Sequence, residues 1–114
     1  MKIEKFEDII SWQKSKELTI CVYKIFADSK DFGFRDQIRR ASVSVMNNIA
    51  EGFERKTNNE FKQFLFIAKG SCAEVRSMLY LAVELDKISR QDFDKSYNLS
   101  VEISRMISGF IKKL

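Results

Sequence analysis

The sequence predicts an all-α fold, an up-down-up-down four-helix bundle, on three observations. Four segments repeat apolar residues at the three- and four-residue steps of an α-helix. Short polar breaks separate them, which sets successive helices antiparallel. No proline occurs anywhere to interrupt them. At 114 residues the chain reads as a single four-helix-bundle domain, 1–114, long enough to bury about two-thirds of its unfolded surface.

The first helix follows a short lead, residues 1–5. Phe6 stands before the acidic pair Glu7 and Asp8, which suits the positive end of a helix dipole. Phe6 is placed to pack on Ile10 as a hydrophobic staple. The helix runs to about Ala27 or Asp28, with its clearest stripe at Leu18, Cys21, Val22 and Ile25. A polar connection ending in Gly33 leads to the second helix, roughly Phe34 to Phe53. Its stripe is small or modest in size: Ile38, Ala41, Ser42, Val45 and Ile49. Such a stripe lets neighbouring helices approach closely, and Gly52 reads as a C-terminal signal.

Thr57-Asn58-Asn59-Glu60 has the spacing of a capping box, in which Glu60 reaches back to the Thr57 amide. The third helix shows the strongest period in the chain. Phe61, Leu65, Ala68, Cys72, Val75, Leu79 and Ala82 form a strict seam, which Phe64, Ser71, Met78 and Leu85 widen. From Thr57 to Leu85 it would be on the order of 40 Å long. Asp86-Lys87-Ile88 is a tight break. Ser89-Arg90-Gln91-Asp92 starts the fourth helix, whose stripe is Leu99, Ile103, Met106, Phe110 and Leu114, with Ile107 and Ile111 beside it. Phe66, Tyr80, Leu81 and Val83 lie off the main seam of the third helix, as Tyr97 and Val101 do on the fourth. These residues broaden the core or sit singly on the surface, or they form an association face; extra apolar stripes on long helices favour a partner, so a homo-oligomer is expected.

Composition excludes several chemistries. There is no histidine, which removes the commonest general base, the Ser-His and Cys-His nucleophiles and the usual zinc sets. The carboxylates Glu51, Glu54, Glu60 and Glu74 lack the histidines that di-iron bundles pair with theirs, so no metal and no other cofactor is expected. The four glycines stand alone at 33, 52, 70 and 109, so there is no phosphate-cradling loop, and no small-molecule substrate is evident. Cys21 and Cys72 read as small buried hydrophobes in preference to a redox pair. No stretch approaches the roughly 20 apolar residues of a membrane span. The charged N-terminus has no apolar signal region, so a cytoplasmic protein is expected.

The net charge of +4 fits nucleic acid without requiring it. Arg39 and Arg40 are paired guanidiniums suited to phosphate, or alternatively to local pairing with Asp36. Arg55, Lys56, Lys62, Lys69 and Arg76 form a loose basic set. Residues 55, 62, 69 and 76 repeat every seven, although a turn at Thr57 would take Arg55 off that line. These cations are the candidate surface for RNA or DNA, against the alternative of a solvated face. No stacking aromatic is interleaved on the stripe, which weakens a single-strand reading. Asn47, Asn48 and Glu51 are expected to fix register with a neighbouring helix or chain. The reading is of a non-enzymatic oligomeric interaction module whose candidate partner is RNA or DNA, or a protein that handles them. A structural or protein-binding oligomer with no such role is the alternative.

Several of these stretches resemble one family. Phe6-Glu7-Asp8-Ile9-Ile10-Ser11-Trp12-Gln13-Lys14 looks like its opening element. Gln37-Ile38-Arg39-Arg40-Ala41-Ser42-Val43-Ser44-Val45 and Asn48-Ile49-Ala50-Glu51-Gly52 look like its signature. Glu60-Phe61, Phe64-Leu65 and Ile67-Ala68-Lys69-Gly70-Ser71, with Glu74 following, look like its third-helix pattern. This is the four-helix-bundle family named for proteins encoded in intervening sequences of bacterial 23S ribosomal RNA genes. The resemblance runs in order from Phe6 to about Ile88. The family usually has proline where Met46 stands, and often another near Asp28 to Asp31. The resemblance implies a ring-like homo-oligomer, commonly a pentamer, and supplies no catalytic residues. A distant relative by fold, the accessory protein of diversity-generating retroelements, binds nucleic acid through a basic ring surface, an analogy at the level of fold alone.

Overall fold

A computed structural model describes residues 2–114. A short 3₁₀ turn, Phe6–Asp8, precedes four helices: α1 Ile10–Ile25, α2 Phe32–Phe53, α3 Asn58–Glu84 and α4 Arg90–Lys113. Each helix packs on two others, α1 on α2 and α4, and α3 on α2 and α4. The result is a closed square of antiparallel helices measuring 43 × 22 × 19 Å, with α1 diagonal to α3. The all-α bundle expected from periodicity is what forms. Among the described residues no helix is long and apolar enough to cross a membrane.

Side-chain caps set three of the starts. The Asp31 carboxylate accepts from the Phe34 amide at 3.2 Å, so α2 begins at Phe32, ahead of the expected Phe34. Ser89 accepts from the Asp92 amide at 3.0 Å. Thr57 accepts from the Glu60 amide at 3.1 Å. The other half of the expected capping box differs, since Glu60 Oε1 accepts from the Thr57 hydroxyl at 3.2 Å and not from its amide. The staple at the first helix is also replaced. The chain breaks helical geometry at Ile9, Ile10 turns outward at 53% exposure, and Phe6 meets Trp12 edge-on at 5.1 Å.

The exit from α3 explains the tight break. The Lys87 amide donates to the Ala82 carbonyl at 2.9 Å and the Asp86 amide to Val83 at 3.2 Å, a Schellman closure. Asp86 accordingly takes φ 58°, the one positive φ at a non-glycine residue among those described. Asp86→Gly is expected to raise stability by about 0.5–1 kcal/mol in urea unfolding, because glycine occupies this conformation without steric cost. Next to it, Lys87 bonds Asp31 at 2.9 Å, tying the first and third connections together and holding the Asp31 carboxyl below the usual carboxylate range.

All seven seam residues of α3 and all five of α2 are buried. The buried line of α4 is rotated from the expected one. Phe93, Ser96, Ser100, Ile103 and Ile107 face the core, while Leu99, Met106, Phe110 and Leu114 flank it half-buried. The periodicity missed it because serines occupy its centre. Ser96 donates to the Asp92 carbonyl at 2.7 Å and Ser100 to Tyr97 at 2.7 Å, so each hydroxyl is satisfied on its own helix. Ser15 and Thr19 occupy the same kind of position on α1, donating to the Ser11 and Ser15 carbonyls at 2.6 and 2.9 Å, and Ser11 is buried beside them with no partner for its hydroxyl. Small side chains let the helices close in. Thr19 reaches the Ser42 carbonyl at 3.1 Å, and the Cys72 thiol donates to the Ser100 carbonyl at 3.2 Å. Both cysteines are free, Cys72 buried and Cys21 half-buried, and burial raises both thiols above their ordinary range.

Gly52 also departs from its expected part. It lies inside α2, with no positive φ. A Cβ there would stand 2.6 Å from Phe64 Cβ, so glycine is needed for the close approach of α2 to α3.

Candidate nucleic-acid interface

The basic residues of α3 fall on the flank that faces α4. Arg76 fixes this. Its Nη1 lies 3.8 Å from Cys72 Sγ, the same sulfur that bonds the Ser100 carbonyl of α4. Lys69 and Lys62, one and two heptads earlier, continue the line, and all three residues are half-buried. Phe61 against Phe110 at 5.2 Å, and Tyr80 against Tyr97 at 5.3 Å, set the antiparallel register. That register brings Arg105 level with Lys69 and Lys112 level with Lys62. Three cations, Lys62, Lys69 and Arg76, therefore border one groove, and Arg105 and Lys112 stand exposed at the same levels on the outer side of α4.

The acids of these stretches point elsewhere. Between Lys62 and Tyr80 the only carboxylate is Glu74, which accepts from Gln37 of α2 at 3.4 Å. Between Tyr97 and Lys112 the only one is Glu102, which pairs with Lys14 of α1 at 3.5 Å. Asp94, nearer the far end, is held by Arg90 at 3.4 Å. The groove thus segregates positive charge, and no ion pair involves Lys62, Lys69 or Arg76 among the described residues.

An aromatic cluster stands at the Arg76 end. Tyr80 is half exposed, its hydroxyl donates to Tyr97 at 3.0 Å, and Phe93 stacks on Tyr97 at 5.2 Å. That hydrogen bond raises the Tyr80 phenol above its ordinary range. Read helix by helix, the stripe has no interleaved aromatic; the structure places Tyr80 on the same flank, four residues beyond Arg76. Its bracing was not legible, because only the α3–α4 register brings Phe93 and Tyr97 to it.

The other candidates lie apart from it. Arg39 is on the diagonally opposite edge, between α1 and α2. Its guanidinium sits 4.4 Å over the Tyr23 ring and donates to the Tyr23 carbonyl at 3.5 Å. Arg40 is exposed beside it, sharing with Asp36 and Tyr23 a shallow cavity of about 290 Å³. Neither arginine pairs with Asp36, which bonds its neighbour Arg35 at 3.3 Å. Arg55 lies past the end of α2, 4.8 Å over Phe64 and 3.4 Å from Glu51, so the sevenfold line breaks at the turn. Lys56 is exposed in that turn. Of the register candidates only Asn48 acts inside the bundle. It donates to the Ser44 carbonyl at 2.8 Å and to the Ser44 hydroxyl at 3.0 Å, and that hydroxyl meets Ser71 of α3 at 2.9 Å. Asn47 is exposed, and Glu51 bonds only Arg55, because both lie on the outer side of α2. Among the described residues no cluster of three or more metal-ligating side chains occurs.

A comparison with curated proteins finds no match. Among solved structures, the chain is similar to a protein with unknown function from the S23 ribosomal protein family of Bacteroides thetaiotaomicron. The two are 27% identical with a TM-score of 0.85, over 90% of this chain and 99% of that one. The 23S rRNA-intervening sequence proteins match residues 7–109, nearly the whole bundle with all four helices. The chain belongs to the 23S rRNA-intervening sequence protein family.

Proposed function

We propose that the chain is a non-enzymatic, homo-oligomeric module of the cytoplasm that binds nucleic acid through the groove between α3 and α4. One observation carries the binding reading: Lys62, Lys69 and Arg76 border this groove without an ion pair while Glu74 and Glu102 are drawn to the other sides of their helices. Lysines and arginines that face no acid are free to replace the counterions of a phosphate backbone. The absence of histidine and the burial of Cys72, with its raised thiol, support a binding role over catalysis.

The oligomeric part rests on two faces. The outer side of α3 exposes Phe66, Ile67, Leu81 and Leu85, each about half accessible. Diagonally opposite, α1 exposes Ile20 and Tyr23. Apolar patches on opposite sides of a bundle suit a head-to-tail contact, the kind that closes into a ring. The pentamer implied by the family resemblance is such a ring.

Electrophoretic mobility shift with a generic RNA across a salt series tests the binding. The expected result is an affinity that falls steeply with salt, and a Lys62→Ala/Lys69→Ala/Arg76→Ala variant whose log–log slope is shallower by about 2–3. Absence of binding by the wild-type protein at low salt and tens of micromolar would remove the reading and leave an oligomer with a structural or protein-binding role.

A further inference from the structure

Resting on the groove reading above, we infer that its ligand is single-stranded nucleic acid, with Tyr80 as the stacking platform at one end of the cationic line. Tyr80 lies on the groove flank with half its surface open to water. Its ring is braced rather than loose, with Phe93 at 5.4 Å, Tyr97 at 5.3 Å and the hydroxyl bonded to Tyr97 at 3.0 Å. A braced, exposed aromatic next to Arg76 can receive the face of an unpaired base without first paying to be ordered. A duplex keeps its base faces stacked inside, so it would engage the cations and leave Tyr80 unused.

The dimensions agree. From Lys62 to Tyr80 is 18 residues of α3, about 27 Å at the helical rise. Lys62, Lys69 and Arg76 recur about every 10 Å along that length. A single row of cations with a ring at its end fits one strand tracking between two helices. It would hold a short segment, comparable to the four or more nucleotides of compact single-strand-binding domains. Contacts to phosphate and a base face, with no donor set aimed at base edges, make sequence-tolerant binding the expected mode.

The test uses the full chain with a fluorescein-labelled oligouridylate of about 20 nucleotides, and the same strand annealed to oligoadenylate. Fluorescence anisotropy should show the single strand bound about tenfold more tightly than the duplex. Tyr80→Leu, which keeps apolar bulk against Phe93, should weaken single-strand binding about tenfold and leave duplex binding and the salt slope unchanged. Tyr80→Phe, which keeps the ring, should bind the single strand within about twofold of wild type. Equal affinity for strand and duplex, with Tyr80→Leu indifferent, would overturn this inference and leave the basic groove standing. No binding of either probe would overturn both.

Discussion

Gly52→Ala is expected to destabilise the protein by about 2 kcal/mol, although alanine is the better helix former. The Cβ it adds would lie 2.6 Å from Phe64 Cβ, 3.0 Å from Phe61 Cδ1 and 3.3 Å from Phe64 Cγ. The nearest atom is fixed to the backbone of α3, so it cannot swing aside as a side-chain tip would. Relief requires α2 and α3 to separate, or Phe64 to leave its place under the Arg55 guanidinium. Separation also strains the aromatic cluster beside it, in which Phe61 touches Phe53 at 5.9 Å and Phe110 at 5.2 Å. Overpacking of this kind costs about 1–3 kcal/mol or more, against a helix-propensity gain of about 1 kcal/mol, so the clash decides the sign. Gly109 is the internal control. It lies inside α4, and a Cβ there meets nothing within 4 Å. Gly109→Ala should therefore gain up to about 1 kcal/mol. Urea unfolding of both variants checks the pair. A Gly52→Ala protein as stable as wild type would show that α2 and α3 do not meet as closely as described.

Gly52 also shows where reading the chain stops. A glycine near the end of a helical period has two physical uses, a left-handed cap or a close approach, and the sequence around it is the same in either case. The seam of the third helix was legible residue by residue, because it is wholly apolar and carries a 3.5-residue period from Phe61 to Ala82, whereas Leu85, expected to widen it, caps the helix and stays exposed. The fourth was legible as a helix and misplaced in rotation. Ser96 and Ser100 sit fully buried at its centre, and a hydroxyl satisfied on its own helix looks from sequence like a solvent-facing one. The groove was half legible. Lys62, Lys69 and Arg76 show their heptad spacing and Tyr80 stands one helical step beyond Arg76, whereas its bracing by Phe93 and Tyr97 comes only through the antiparallel register of α3 and α4. Arg39 was legible only as a choice between phosphate and a local partner; the partner it meets is Tyr23, over whose ring it stacks at the α1–α2 edge, and not Asp36.

Phe66→Asp/Leu81→Asp is expected to convert the assembled protein to monomer, raising the dissociation midpoint by more than about a hundredfold. Phe66, Gly70, Ala73, Ser77 and Leu81 recur at helical steps along the outer side of α3 and are all exposed. Large apolar side chains stand at the two ends and small ones between them. That profile lets a neighbouring helix seat closely against the middle while Phe66 and Leu81 fill its margins. Of the residues marked by sequence as off the seam, Val83 turns half-buried toward the core and Tyr80 belongs to the groove, so Phe66 and Leu81 carry the test. Phe66 is 57% exposed and Leu81 48%, so aspartate at either site should leave the fold intact in circular dichroism. Two carboxylates buried without partners in an association surface cost far more than the apolar contact they replace. Light scattering on a sizing column should show the wild-type oligomer and the variant monomer at the same micromolar concentration. Ile20→Asp, on the opposite face of the bundle, should have the same effect if the contact runs head to tail, and none if two copies of α3 meet each other. A wild-type monomer at micromolar concentration would sink the interface. The monomeric variant also separates assembly from binding. Its groove is intact, so each chain should keep its salt slope, while affinity for a strand long enough to touch several subunits should fall with the lost multivalency.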